Sequence, residues 1–172
     1  IQLAKHLGAT VATTTSTGNV AWVKGLGADV VVDYKKEDFE KVLRGYDVVL
    51  NSQDGKTLEK SLNVLQAGGQ LISISGPPTP AFAEESKAPW FVKQVMRALS
   101  FGTRRKAKQL KVGYSFLFMK ASGTQLRQIT PLFESGAIRP VVDKVFPFDA
   151  TNEAMAYVES GRAKGKVVIK VR

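Results

Sequence analysis

Three features of the 172-residue chain predict an α/β fold built on a doubly wound parallel sheet. Short apolar runs at 10–14, 29–33, 46–50 and 70–75 alternate with segments of helical spacing. The stretches joining the runs are too long for hairpins, so successive strands run parallel. Polar or Gly-containing turns follow the runs, at 13–19, 34, 51–55 and 75–77, and so are expected on one sheet edge, where they form a single cleft.

The elements follow in order. Ile1, Leu3, Ala4 and Leu7 share a helix face, and Gly8 suits its end. No start signal precedes this helix, so the chain is expected to begin inside one. His6, on its polar side, reads as a surface residue. After the strand at 10–14, Trp22, Val23 and Leu26 form the stripe of a helix that Gly27 closes. A strand at 29–33 ends in Tyr34, either a ligand-facing aromatic or a ring packed over the sheet. A helix at 36–44 and a short, largely apolar strand at 46–50 come next, then a helix at 58–65 and the strand at 70–75. Gly76, Pro77, Pro78 and Pro80 mark a loop. Helix is predicted from Ser86 to about Lys111, broken near Gly102, with Phe91, Val95, Ala98 and Leu99 as its buried face. The run 112–119 is an apolar strand, either an edge that pairs with a second subunit or an internal strand with both faces covered. A helix from Ser122 or Gly123 to Gly136 is expected to kink or restart at Pro131. The chain closes with a strand at 141–148 that leaves the main sheet, a helix at 152–160 capped by Asp149 or Thr151, and a strand at 166–171.

Composition limits the chemistry. There is no Cys and one His, which excludes a disulfide framework, a Cys-based zinc site and Cys–His catalysis within these residues. No apolar run reaches membrane-spanning length and no secretory leader pattern opens the chain, so a cytoplasmic protein without a membrane partner is expected. The net charge of +10 calls for an anionic partner. Arg104, Arg105, Lys106, Lys108 and Lys111 form the densest cluster but lack aromatic interleaving, so a solvated face is expected there rather than a nucleic-acid site.

The stretch Ala9–Tyr34 has the form of the second half of a nucleotide-binding βαβ unit. Where a carboxylate would bond the ribose 2′-hydroxyl of NAD, it offers Thr14, Thr15, Ser16, Thr17, Gly18 and Asn19. A neutral turn leaves room for a 2′-phosphate that a carboxylate would repel. NADP (NADPH) is therefore the expected cofactor.

GADVVVDY (27–34), AGGQLISISG (67–76) and above all GAIRPVVDKVFPFDATNEAMAYVESGRAKGKVVIKV (136–171) resemble the carboxyl-terminal part of the medium-chain dehydrogenase/reductases. The branch they resemble most is the zinc-independent, NADPH-dependent, quinone oxidoreductase-like enzymes. The resemblance implies a Rossmann-like domain over residues 1–139, lacking its first strand and Gly-rich turn. Residues 140–172 would then be a strand–helix–strand segment returning to a catalytic domain that these residues do not include. It implies hydride transfer from NADPH to a small quinone, enone or related carbonyl compound, with little activity in these residues alone. By the same resemblance Ser16 meets the adenosine 2′-phosphate, and Asn19 stands beside it where many members carry Lys or Gly. Tyr34 stacks near the adenosine ribose phosphate. Gly55 is a turn position near the cofactor, Ser75 and Gly76 lie under the nicotinamide ribose, and Phe116, Phe118 and Met119 stand beside the ring. Lys164, Gly165 and Lys166 match a basic turn near the phosphates; a plain charged turn before an edge strand is the alternative. A homodimer through the strand around Phe116 is expected, and no catalytic or metal-binding residue is assigned. The alternative from another class is a non-catalytic dinucleotide-binding or dimerisation module.

Overall fold

A computed structural model describes residues 1–172, which divide into two compact units: Ala12–Ala121, and Ile1–Val11 with Ser122–Arg172. In chain order, α1 (Gln2–His6) belongs to the smaller unit. The larger unit then runs β1 (Ala12–Thr15), α2 (Val20–Gly25), β2 (Val30–Asp33), α3 (Phe39–Val42), β3 (Tyr46–Asn51) and α4 (Gly55–Leu62). It continues with β4 (Leu65–Ser73), α5 (Pro80–Glu85), α6 (Trp90–Leu99), α7 (Phe101–Gln109) and β5 (Gly113–Phe116). The smaller unit resumes with α8 (Gly123–Glu134), β6 (Val142–Pro147), α9 (Thr151–Glu159) and β7 (Lys166–Lys170).

All strand pairs are parallel, as the long connections require. The larger unit nevertheless has two sheets where the sequence pointed to one: β1 pairs with β2, and β3–β4–β5 form the other. No strand of these residues lies between β1 and β3 to carry the ladder across. A core cluster joins them instead: Val32, Leu43 and Val64 pack with Ala12, Val30, Phe39, Tyr46 and Val49, drawn from both sheets. A second cluster of Leu58, Leu62, Leu71, Ala107 and Val112 fixes α4 and α7 to the face of β4. Leu58 and Leu62 are one helical turn apart and fully buried, each contributing roughly 1.5–3 kcal/mol of apolar burial. Asp54 starts α4 in register by accepting the Thr57 amide at 2.8 Å.

The region between β4 and β5 differs from the sequence expectation. Helix starts early, at Pro80, because Thr79 accepts the Phe82 amide at 3.3 Å and proline suits the first turn. The break between α6 and α7 falls at Ser100 and Gly102 lies within α7. The Ser100 hydroxyl donates to the Met96 carbonyl at 2.8 Å and accepts from Arg104 Nε at 3.1 Å, beside backbone bonds from the Ser100 amide to Met96 and from the Arg104 amide to Ser100, both at 3.0 Å. The stripe of α6 assigned to the core faces outward instead, with Phe91, Val95 and Leu99 more than half exposed. β5 ends at Phe116, earlier than the apolar run suggests, and is an edge strand of its sheet.

In the smaller unit α8 is continuous through Pro131, which forgoes one bond without ending the helix. The α9 amino end has no side-chain cap; the Thr151 hydroxyl instead donates to the Phe148 carbonyl. β6 pairs only with β7, as a strand outside the main sheet should. Gln2 clips Arg139 from both sides, donating to its carbonyl at 2.9 Å and accepting its amide at 2.8 Å.

Candidate functional site

Parallel register sets the carboxyl ends of β3, β4 and β5 level, with Asn51 opposite Ser73 and Ser73 opposite Phe116. Asn51 and Ser73 are buried polar residues, which demands internal partners. The Ser73 hydroxyl donates to Asn51 Oδ1 at 3.1 Å and accepts the Gly76 amide at 2.8 Å. Ser75 Oγ lies 2.6 Å from the Gln53 carbonyl and 3.3 Å from Asn51 Oδ1. These bonds tie the turn after β4 to the turn after β3. Gly76 is required by space: a Cβ there would lie 2.4 Å from Leu58 Cδ1 and 2.8 Å from both Ser73 Oγ and the Tyr114 hydroxyl. Tyr114 donates to the Pro77 carbonyl at 2.7 Å, and burial pushes its phenol up to about 12. The result is a rigid strand-end platform presenting Ser75, Gly76 and Pro77, with Gly55 at the start of α4. Gly55 and Pro77 share an open depression with Asp54, Lys56, Glu59 and Thr103.

Beside the platform, Phe116 meets Phe82 edge-on with ring centroids 5.0 Å apart, and Phe118 lies 6.2 Å from Phe82. Phe118 and Met119 are exposed beyond the end of β5.

The other sheet brings Thr15 opposite Asp33. Ser16 precedes a short 3-10 turn, its carbonyl accepting the Asn19 amide at 2.9 Å, and the exposed Tyr34 donates its amide to the Thr15 carbonyl at 3.1 Å. Ser16, Asn19 and Tyr34 thus come together at one strand edge. The fold adds a residue that the sequence reading passed over: the turn has no carboxylate of its own, but Asp33 supplies one from the neighbouring strand. Asp33 is 7% exposed. The Thr17 side chain, then the Lys35 amide at 3.0 Å and the Lys36 and Lys35 charges, hold its carboxyl below the usual range against the opposing effect of burial. Asp33 Oδ2 is buried without a hydrogen-bond donor, with Lys36 Nζ at 3.7 Å.

Lys164, Gly165 and Lys166 belong to the smaller unit, at the turn entering β7. Asp143 Oδ2 accepts the Lys164 amide at 3.2 Å and the Tyr157 hydroxyl at 2.7 Å, and these bonds, Tyr157 first, keep the Asp143 carboxyl below its usual range. A Cβ on Gly165 would lie 2.6 Å from the Val141 carbonyl, so this turn also depends on glycine.

Asn51, Ser73, Asp33 and Tyr114 were absent from the sequence-derived set. Asn51 and Ser73 carried a usable signal, since each is a polar residue at the end of an apolar strand. No group of three His, Cys, Asp or Glu side chains is arranged to hold a metal ion, so these residues do not fit a zinc centre.

A family model described as "Zinc-binding dehydrogenase" matches residues 26–169. The chain is 36% identical over 173 residues to 2-methylene-furan-3-one reductase of Solanum lycopersicum, covering 98% of this chain and 36% of that protein. It is 33% identical to the chloroplastic NADPH-dependent alkenal/one oxidoreductase of Arabidopsis thaliana, covering 98% of this chain and 36% of that one. Among solved structures, the quinone oxidoreductase from Coxiella burnetii superposes with a TM-score of 0.74 at 26% identity, covering 100% of this chain and 48% of that one. The chain therefore spans between about a third and a half of the length of these relatives.

Proposed function

The chain belongs to the zinc-binding dehydrogenase family, and from that premise we propose that it forms the NADPH-binding part of an oxidoreductase acting on a quinone, enone or related carbonyl compound. The observation that carries this reading is the platform after β4, where buried Asn51 and Ser73 fix Ser75 and Gly76 at a strand-end edge, the place where open α/β sheets bind nucleotides. The close fit around Gly76 suits a turn that must lie low beneath a flat ligand.

NADPH, when bound, supplies a hydride from its nicotinamide to the acceptor. Ser16, Asn19 and Tyr34 hold the 2′-phosphate end, where neutral donors and an aromatic face are offered and the Asp33 carboxylate is turned into the protein. Ser75 and Gly76 hold the nicotinamide half, with Gly55 at a turn near the cofactor. Phe116, Phe118 and Met119 exclude water beside the ring. On the smaller unit, the turn Lys164–Gly165–Lys166 offers its lysine ammonium groups to phosphate, its Lys164 and Lys166 amides being bonded to Asp143 and Val141. None of these side chains acts as acid, base or nucleophile; their work is binding and orientation.

Residues 1–139 are read as the nucleotide-binding domain and 140–172 as the segment that returns to a catalytic domain. A homodimer through β5 fits its position as an edge strand. A cytoplasmic or organellar location both fit: no helix is long and apolar enough to cross a membrane, and named relatives include chloroplastic and mitochondrial proteins.

Calorimetric titration of the natural-length protein with NADPH and NADH tests the reading. NADPH is expected to bind more tightly, and Ser16→Asp to remove most of that preference by placing a carboxylate at the 2′-phosphate. Failure to bind either cofactor would leave a non-catalytic interaction module as the better account.

A further inference from the structure

Charge and apolar exposure coincide on one stretch of the larger unit and its continuation in sequence. Residues 86–133 hold ten Lys and Arg and no carboxylate, while the rest of the chain is balanced at 15 of each sign. The whole net charge of +10 therefore resides in this stretch. Within it, α6 turns its apolar stripe to solvent: Phe91, Val95 and Leu99 are 57%, 55% and 63% exposed, and Trp90, at the start of the helix and off that line, is 76% exposed. Phe91, Val95 and Leu99 recur at every fourth position and so lie along a single line of the helix. Phe101 continues the apolar surface at 58% exposure and shares an open depression on α7 with Arg104, Arg105 and Lys108.

A surface helix of a globular domain normally turns such a stripe to the core. A strongly amphipathic helix with Trp, Phe and Leu outward and cations close by has the composition of one that lies in a bilayer interface. We propose that α6 and the start of α7 form a peripheral docking surface for an anionic lipid bilayer. Phe91, Val95 and Leu99 enter the interfacial layer, and Arg105 and Lys108, which share the depression beside Phe101, meet lipid phosphates. The contact is peripheral, because no helix is long enough to span. A second copy of the chain is a poorer occupant, since it would bring two carboxylate-free cationic surfaces together. A nucleic acid would engage the cations and stack on Trp90 or Phe91, yet would leave Val95 and Leu99 without a partner. Composition gave no membrane partner; the outward orientation of α6 is what points to one. This inference does not rest on the cofactor reading, so either can fail alone.

Flotation of the natural-length protein with vesicles provides the test, comparing phosphatidylcholine alone with a mixture of phosphatidylcholine and phosphatidylglycerol. Binding is expected to the mixture only, to weaken with added salt, and to bring Trp90 within reach of acyl-chain bromines that quench its fluorescence, with Trp90→Phe as the reference for Trp22. Val95→Ser combined with Leu99→Ser is expected to lower partitioning by about tenfold or more while circular dichroism is unchanged. Arg105→Gln with Lys108→Gln is expected to lower it by about tenfold, on the mixed vesicles alone. Absence of binding to the mixed vesicles, or Trp90 left unquenched in the bound state, overturns the proposal. So does shielding of Trp90 from aqueous acrylamide without lipid, which would mean that another part of the protein covers α6. Self-association lost in the Leu99 variant would assign the face to a second copy. Binding to a synthetic polyribonucleotide that depends on Arg105 and not on Leu99 would assign it to a nucleic acid. Either result also overturns it.

Discussion

The two strand-end edges of the larger unit treat buried polar groups in opposite ways. At the ends of β3 and β4, Asn51 and Ser73 are bonded to each other and to the turn that carries Ser75 and Gly76. At the end of β2, Asp33 is buried to a similar degree but leaves Oδ2 without a donor. A satisfied network rigidifies what it holds, whereas a half-satisfied group retains capacity for a further partner or stores cost. The first edge is thus built for position, while the second carries a buried charge held inward by Thr17, the Lys35 amide and the neighbouring lysines.

The sharpest way to break the contrast is Gly76→Val. Its Cβ would meet Leu58, Ser73 and Tyr114 at once, and β-branching adds bulk that only backbone movement can relieve. A stability loss of about 1–3 kcal/mol in urea unfolding is expected, with NADPH binding weakened at least about tenfold. Unchanged stability and affinity would mean that the turn is loose. Next comes Asn51→Leu, which removes the acceptor shared by Ser73 and Ser75 and leaves the Ser73 hydroxyl buried. A cost of about 1–3 kcal/mol is expected. The platform account predicts that faster amide exchange at Gly76 accompanies it.

Asp33→Asn should have the smallest effect near neutral pH and a diagnostic one in acid. The Asp33 carboxyl, lowered chiefly by the Thr17 side chain, has a folded pKa below its unfolded value of about 3.9. Its contribution is therefore present above about pH 4 and is lost as pH falls through the folded value. The Asn variant should unfold with a shallower acid limb, readable as unfolding midpoint against pH. An acid limb identical to that of the parent would show that Asp33 is not held as described.

The order of the strands and their parallel sense were legible in the sequence because apolar-rich runs and long connections are local facts, although β4 starts at Leu65, inside the stretch expected to be helix. The break between β1 and β3 follows from the absent first strand that the resemblance implies, whereas the apolar runs alone point to one sheet. The α6 stripe was read correctly as a stripe and assigned to the wrong surroundings: spacing identifies which residues share a face, and says nothing of what covers it. A helix break is expected near Gly102 and falls two residues earlier, at Ser100. Of the candidate site, Ser75 and Gly76 are fixed by residues whose roles emerge only when β3 and β4 lie side by side. The Asp33 carboxylate was hidden in the same way, since Thr15 and Asp33 become neighbours only through register.

The most direct test of the central claim is to follow backbone amide resonances of the natural-length protein as NADPH is added. The account predicts that Gly76 and Tyr34 shift together, because both edges contribute to one cofactor site, while Lys111 at the opposite end of β5 stays in place. Shifts confined to residues away from the carboxyl ends of the strands, with Gly76 and Tyr34 unmoved under saturating NADPH, would contradict it.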